Sequence, residues 1–410
     1  MSPLYYRGFR LFMLRNLFGS LGVGLTYVAS TWMAANQHQE VFHVTLIMLA
    51  FWMPMAILGP VAGVLVDRYN RRYLLAFSIL IRLLSLLSFG VIIETGHYHF
   101  AYLFILNVIN GTMFSLIMPA NGRMIRELVP RSMLLKANAS ADMVFETGNM
   151  TGMALAGLII GLTSYATTYY INATLFVFAG LSILLIRDND FLGEVHLSES
   201  SYRFRDIGHE YKQSLSYLYH KPQLFWISMV QMLVFLIFVA TPALLAPFAK
   251  TVLNASVMQF GLIEMSASIG LVAGCFCLAH LVKRWGETAI LSLLLLIALA
   301  SFSAFMLNRT ILGAEIIYGI MGFSIASWAL SFTQSQNLTH VGYQGRIQST
   351  FASLSSLLAM IIFMGIALVS LVLNNIVWLY LVEIALVFIA FLCLWQYKTV
   401  SKNHSELPSR

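Results

Sequence analysis

The stretch "GVLVDRYNRRYLL", Gly63–Leu75, sets four charges (Asp67, Arg68, Arg71 and Arg72) within six residues, between two long apolar runs. The rest of the chain is built differently. Of 410 residues, 59% are hydrophobic and only 10% charged, and the mean hydropathy is +0.80. About a quarter of the residues of a soluble domain are charged, so a soluble domain is excluded. A short basic turn between apolar runs is what joins two membrane-crossing helices on the cytoplasmic side.

Outward from that turn, twelve apolar stretches follow one another from Phe9–Ala35 to Ile376–Trp395. Each is long enough, at about 20 residues, to cross a bilayer. The longest polar interval, Arg187–Pro222, divides them into six and six. The expected organisation is therefore an all-α membrane protein. A six-helix half occupies 1–186, a cytoplasmic linker 187–222, a second half 223–395 and a cytoplasmic tail 396–410. With both termini cytoplasmic, all but three of the 24 Lys and Arg residues fall on the cytoplasmic side. The exceptions are Lys250 and Arg309 outside, and Arg82 within a span. The net charge of +7 reflects this topology, and no soluble basic domain exists to bind nucleic acid. The N-terminal apolar run is too long for a cleavable signal peptide and lacks its small-residue cleavage site. Cys275, Cys277 and Cys393 all lie in apolar stretches, which fits neither a disulfide framework nor a zinc site.

Gly59, Gly63 and Asp67 recur every fourth residue and so share one helix face. A neighbouring helix can approach the glycines closely. The carboxylate one turn on can meet the positive N-terminal end of another helix. Such a contact breaks when the helices separate, so the turn reads as a latch made of Gly63, Asp67, Arg68, Arg71 and Arg72.

This turn resembles the loop signature of the major facilitator superfamily, Gly-x-x-x-Asp-Arg-x-x-Arg-Arg, with Asn70 where the family usually has glycine. A second stretch, "MPANGRMIRELVPRSMLLKANASADMVFETGNMTGMALAGLIIG" (Met118–Gly161), resembles the macrolide-efflux and enterobactin-exporter branch at Pro119, Ala120, Glu127–Pro130, Ala137 and Asn138. "GRIQSTFAS" from Gly345 resembles that branch again. Two features depart from it. Val23 follows Gly22 where many members carry an acid, and span four has no early arginine. "GLVAGCFCLAHLVKRWG" (Gly270–Gly286) is a faded copy of the opening motif, with Leu278 where Asp67 stands. The resemblance implies two pseudo-symmetric six-helix halves with a substrate site between them, near the middle of the membrane. It also implies that Gly148, Gly152, Gly157 and Gly161 of span five pack across the seam against Gly270 and Gly274 of span eight.

Polar residues within spans are costly in lipid and mark function. Arg82 lies nine residues into span three and needs either a partner or a route to the headgroups. Asp142 and Glu146, one turn apart on span five, repel each other, which makes them and Arg82 the candidate proton-coupling set. Glu264, Glu315 and Glu383 are expected near the outer interface. In the resembled fold, spans one, four, seven and ten line the cavity. Here they offer Asn16, Tyr27, Asn107, Asn110, Gln231, Tyr318 and Trp328, and no central charge. An uncharged polar cavity among many Phe and Met side chains suits an amphipathic substrate. His38, His43, His97 and His99 gather in outer loops without completing a metal site. No P-loop or hydrolase motif is present, and no cofactor is expected. Asp206–Tyr219 has the spacing of an amphipathic helix lying on the membrane surface. The function expected is a monomeric secondary transporter in a bacterial cytoplasmic membrane. It exports a small drug-like or siderophore-like compound in exchange for protons. The alternatives are a lysophospholipid flippase or a solute importer of the same fold, and a non-transporting sensor or scaffold.

Overall fold

A computed structural model describes residues 3–37, 40–192, 216–340, 344–372 and 375–405; a few helical positions, Gly63 and Asp67 among them, fall outside the described side chains. The helices are α1 (Arg7–Ala35), α2 (Glu40–Arg68), α3 (Arg71–Glu94), α4 (Phe100–Leu128), α5 (Leu134–Leu162) and α6 (Tyr165–Leu184). After the central interval come α7 (Pro222–Thr251), α8 (Val257–Trp285), α9 (Glu287–Leu307), α10 (Ile311–Ser324), α11 (Ala326–Leu338), α12 (Gln344–Ser370) and α13 (Tyr380–Ser405). Among the described residues, twelve helical segments are long and apolar enough to cross a membrane. The tenth span, expected as one helix, is broken at Ile325 into α10 and α11. The surface helix expected over Asp206–Tyr219 lies, apart from its last residues, outside the described residues, as does His38.

Short polar side chains start the helices where the apolar runs begin. Asn70 accepts a hydrogen bond from the Arg72 amide at the head of α3, and Ser164 accepts one from Thr167 at the head of α6. Each fills one of the amide positions that a helix N-terminus leaves open. Pro222 opens α7 in the first turn, where no amide is needed. Gly286, at φ +83°, turns the chain from α8 into α9 in a single residue, a conformation that favours glycine.

The chain divides into two compact units, Met1–Tyr202 with Ser256–Met265, and Arg203–Ala255 with Ser266–Arg410. In the first unit α1 crosses α5 at backbone contact. A β-carbon at Gly24 would meet the Asn149 carbonyl, one at Gly152 the Leu21 carbonyl, and one at Gly148 the Ser20 hydroxyl. On the other side of α1, a β-carbon at Gly22 would lie 2.7 Å from the Phe176 ring of α6. Small residues at these points substitute for a hydrophobic driving force that lipid does not supply.

The glycines of span five do not form the single stripe expected of them. Gly148 and Gly152 face α1, whereas Gly157 faces the start of α8, 3.3 Å from Gly261 Cα. The five-residue step from 152 to 157 turns the helix by about 140° beyond a full revolution, which moves the later glycine to a new face. Gly270 and Gly274 pack in the second unit on α10 and α11, against Gly319, Phe323 and Ala326.

The opening turn organises the charged end of the first unit. Arg71 is buried and pairs with Glu127 at the end of α4 (3.5 Å). Arg72 donates to the Leu184 carbonyl at the end of α6 (2.6 Å) and pairs with Asp188 just beyond (3.5 Å). A cation on the last carbonyls of a helix is placed where the helix dipole is negative. Arg7, at the head of α1, completes the set through Asp190 (2.9 Å). Arg68 is exposed.

Gly152→Ala is expected to destabilise the protein by about 1–3 kcal/mol, the usual cost of overpacking. Gly365→Ala, where a β-carbon would meet nothing within 4 Å, leaves stability unchanged or raises it. Thermal melts of the two variants in detergent test the pair; equal melting temperatures would disprove the α1–α5 contact.

Candidate functional site

A polar interior runs through the first unit, built from α1, α3, α4 and α6. Arg15 sits two turns into α1 and is only 4% exposed. Its Nη1 donates to Asn121 Oδ1 on α4 at 2.9 Å. Arg82, on α3, is 3% exposed and donates from Nε to Asn110 Oδ1 at 2.8 Å. Its guanidinium lies 4.4 Å from the Phe176 ring centroid, on α6, a cation–π contact. Arg82 therefore stays inside the bundle and does not reach for the headgroups. Arg15 corrects the expectation of an interior without charge. Its place on the basic side of span one made it resemble a topological anchor, but the helix turns it inward.

The four polar residues expected along spans one and four are engaged in packing. Asn16 donates to the Ala141 carbonyl of α5 at 2.9 Å, which ties the two crossing helices together. Asn107 and Asn110 donate back to their own helix, to Leu103 and Leu106. Tyr27 donates to Glu264 Oε1 at 2.6 Å. Three further interior residues were not singled out from sequence. Asn172 of α6 donates to the Gly22 carbonyl and to Thr26 Oγ1. Ser30 and Tyr169 share a hydrogen bond of 3.3 Å. Asn172 lies in an apolar span, which is the signal that marks it.

Glu264 and Glu383 overturn the expectation of acids at the interface. Glu264 is 4% exposed, on the part of α8 that belongs to the first unit. One turn earlier Phe260 stacks on Trp32 of α1 with ring centroids 5.1 Å apart. The start of α8 is thus held on α1 by a ring stack and a carboxylate–phenol bond, and on α5 by Gly157. Glu383, in the second unit, is completely buried, and neither carboxylate oxygen meets a hydrogen-bond donor among the described residues. One turn before it, Tyr380 stands among Phe248, Phe302 and Phe305. Glu315 is half-buried.

The second unit disperses the other expected residues. Gln231 is buried on α7, and Tyr318 is buried on α10 with its ring 6.0 Å from Phe305. Trp328 is 40% exposed and stacks on Phe332. Ser228 and Ser335 join α7 to α11 at 3.2 Å, and Gln334 donates to Glu287 at 3.1 Å. Asp142 is exposed and Glu146 half-buried. Neither forms a salt bridge among the described residues, with Lys136, Arg82 or any other cation. Gly63 and Asp67 lie on α2, outside the described side chains.

Among the described residues, the twelve helical segments long and apolar enough to cross a membrane mark a multi-pass integral membrane protein. The chain matches the model of the Major Facilitator Superfamily over residues 12–364, and it belongs to that family of transporters. It is 27% identical over 194 residues to the uncharacterised MFS-type transporter YfiS of Bacillus subtilis, covering 47% of this chain and 45% of that protein. It is 23% identical over 210 residues to Multidrug resistance protein 2 of the same species, covering 51% of each. The chain thus spans about half the length of the curated relatives it matches. A variant of the nucleoside transporter NupG has the same fold, with a TM-score of 0.72 over 95% of this chain and 99% of that one, at 11% identity.

Tyr27→Phe leaves a buried carboxylate oxygen without its donor, a loss of about 1–3 kcal/mol. Glu264→Gln weakens the same bond. The double variant is expected to melt no lower than the worse single variant, because both remove one interaction. Fully additive losses in thermal unfolding would show that the two side chains act independently.

Proposed function

We propose that this chain exports a small amphipathic compound, drug-like or siderophore-like, by alternating access in exchange for protons. It works as a monomer in a bacterial cytoplasmic membrane, with both termini in the cytoplasm. The observation that carries the reading is the ionic belt of the opening turn. Arg71 to Glu127 and Arg72 to Asp188 are contacts of 3.5 Å between the ends of separate helices. The Arg72–Asp188 pair is open to water at Asp188 and contributes little stability, so it can break and reform during a transport cycle; the buried Arg71–Glu127 pair is costlier to open and holds the resting state. Gly63, Asp67 and Arg68 complete the latch.

The multidrug name of a relative supports export at the level of the family. Asn16, Tyr27, Asn107, Asn110, Gln231, Tyr318 and Trp328 are the side chains proposed to meet the substrate. Such a set offers amides and aromatic faces, which suit a ligand with both polar and apolar parts. For the proton, Asp142 and Glu146 share one face of α5 without a salt bridge among the described residues. Glu146 lies about 6 Å further along the helix, at 1.5 Å per residue, and is the proposed carrier. Arg82, fixed on Asn110, supplies a buried positive charge within the same unit and makes no direct ion pair with either acid.

Everted vesicles decide direction and coupling together. With an imposed pH gradient, wild-type vesicles are expected to accumulate substrate, and Glu146→Gln is expected to lose that accumulation while keeping downhill flux. Full pH-driven accumulation in the variant would remove Glu146 from the mechanism. Uptake only into right-side-out vesicles would make the chain an importer, and transfer of lysophospholipid between leaflets would make it a flippase. Asp67→Asn is expected to lower flux several-fold at unchanged surface expression; unchanged flux would dismiss the latch.

A further inference from the structure

Among the described residues, two buried guanidinium groups in the first unit have no counter-charge. The salt bridges among the described residues use Arg7, Arg71 and Arg72. Arg15 and Arg82 are each held by a single neutral amide, Asn121 and Asn110. A guanidinium carries five N–H donors and can accept nothing. Arg15 Nε is buried with no acceptor among the described residues, and Arg82 spends its Nε on Asn110. The charge of Arg15 also acts on Arg82. Burying one unpaired charge is costly, and two of like sign compound the cost. The face of Phe176 returns only a small part of it.

Asn110 and Asn121 are eleven residues apart on α4, close to three whole turns, so they project from one face of that helix. Phe114 and Ile117 lie on the same face between them and are buried. The arrangement sets two cationic donor groups along one face of α4, beside an apolar stretch. Carboxylates and phosphates are the groups that match a guanidinium fork.

We propose that Arg15 and Arg82 bind the anionic head of a small molecule, a carboxylate or a phosphate-like oxyanion, whose apolar body lies along Phe114 and Ile117. The proposal deepens the export reading, since it gives the exported compound a negative charge. Asp142 and Glu146 on α5 are the acids of the same unit that compete for the arginines. An anionic ligand and these carboxylates then exclude one another.

The test measures binding without a gradient, so it stands or falls apart from transport. Full-length protein in phosphatidylcholine nanodiscs is melted, by tryptophan fluorescence, against benzoate, inorganic phosphate and benzamide, with ionic strength held constant with chloride. Benzoate or phosphate is expected to raise the melting temperature saturably, and neutral benzamide is not. In Arg82→Gln and in Arg15→Gln the concentration giving half the shift rises at least about tenfold, the loss of one charged hydrogen-bonding partner. Arg82→Lys, which keeps the charge, retains a measurable part of the shift and controls for folding. Discs containing phosphatidylglycerol separate the two sources of such a group. If a lipid headgroup is the ligand, that lipid alone stabilises the wild type in an arginine-dependent way and free anions add nothing. The absence of any saturable shift with benzoate, phosphate or phosphatidylglycerol would overturn the proposal, as would equal shifts in the wild type and both glutamine variants.

Discussion

Hydrocarbon offers no hydrogen-bond partner, so every polar group that enters it must be answered from within the protein. The whole arrangement of this chain follows from that constraint. Backbone groups are answered within helices, and helix ends by capping side chains such as Asn70 and Ser164. Polar side chains within spans are answered by donating to carbonyls, as Asn16, Asn107 and Asn172 do. Because helices in lipid gain nothing from hiding apolar surface from one another, they must fit by shape. Glycines at the crossing of α1 and α5 provide that fit, and the Asn16 amide can span it only because the two backbones approach so closely.

Charge obeys the same constraint with a sharper penalty. Most of it is kept in turns, where water solvates it. Two arginines of the Gly63–Leu75 turn are used there to close the ends of α4 and α6. The charges that remain inside, Arg15, Arg82, Glu264 and Glu383, are few and are answered very differently. Glu264 has a phenol, the two arginines have an amide each, and Glu383 meets no donor among the described residues.

The number of spans and the capped turns were legible in the residues because both depend on local composition. Gly152 as a point of close approach was legible from its four-residue spacing to Gly148. What could not be read was the direction in which a side chain points once its helix is packed. Arg15 sits near enough to the cytoplasmic end to pass for a surface cation, and only the position of α4 shows that it turns inward. Gly157 appears to extend a stripe until the extra residue in its spacing carries it to another face. Glu383, one turn into its span, has the sequence of an interfacial acid. Its burial depends on α7 and α9, which are far away in the chain.

Glu383 also bears on biogenesis. The last span enters the bilayer after the others have been made, carrying an acid one turn inside its leading end. On its own in lipid, that helix bears the insertion penalty of a carboxyl group. Packing against α7 and α9 encloses the group within protein. Insertion of α13 is thereby coupled to assembly: its carboxyl group is enclosed only where α7 and α9 already stand beside it.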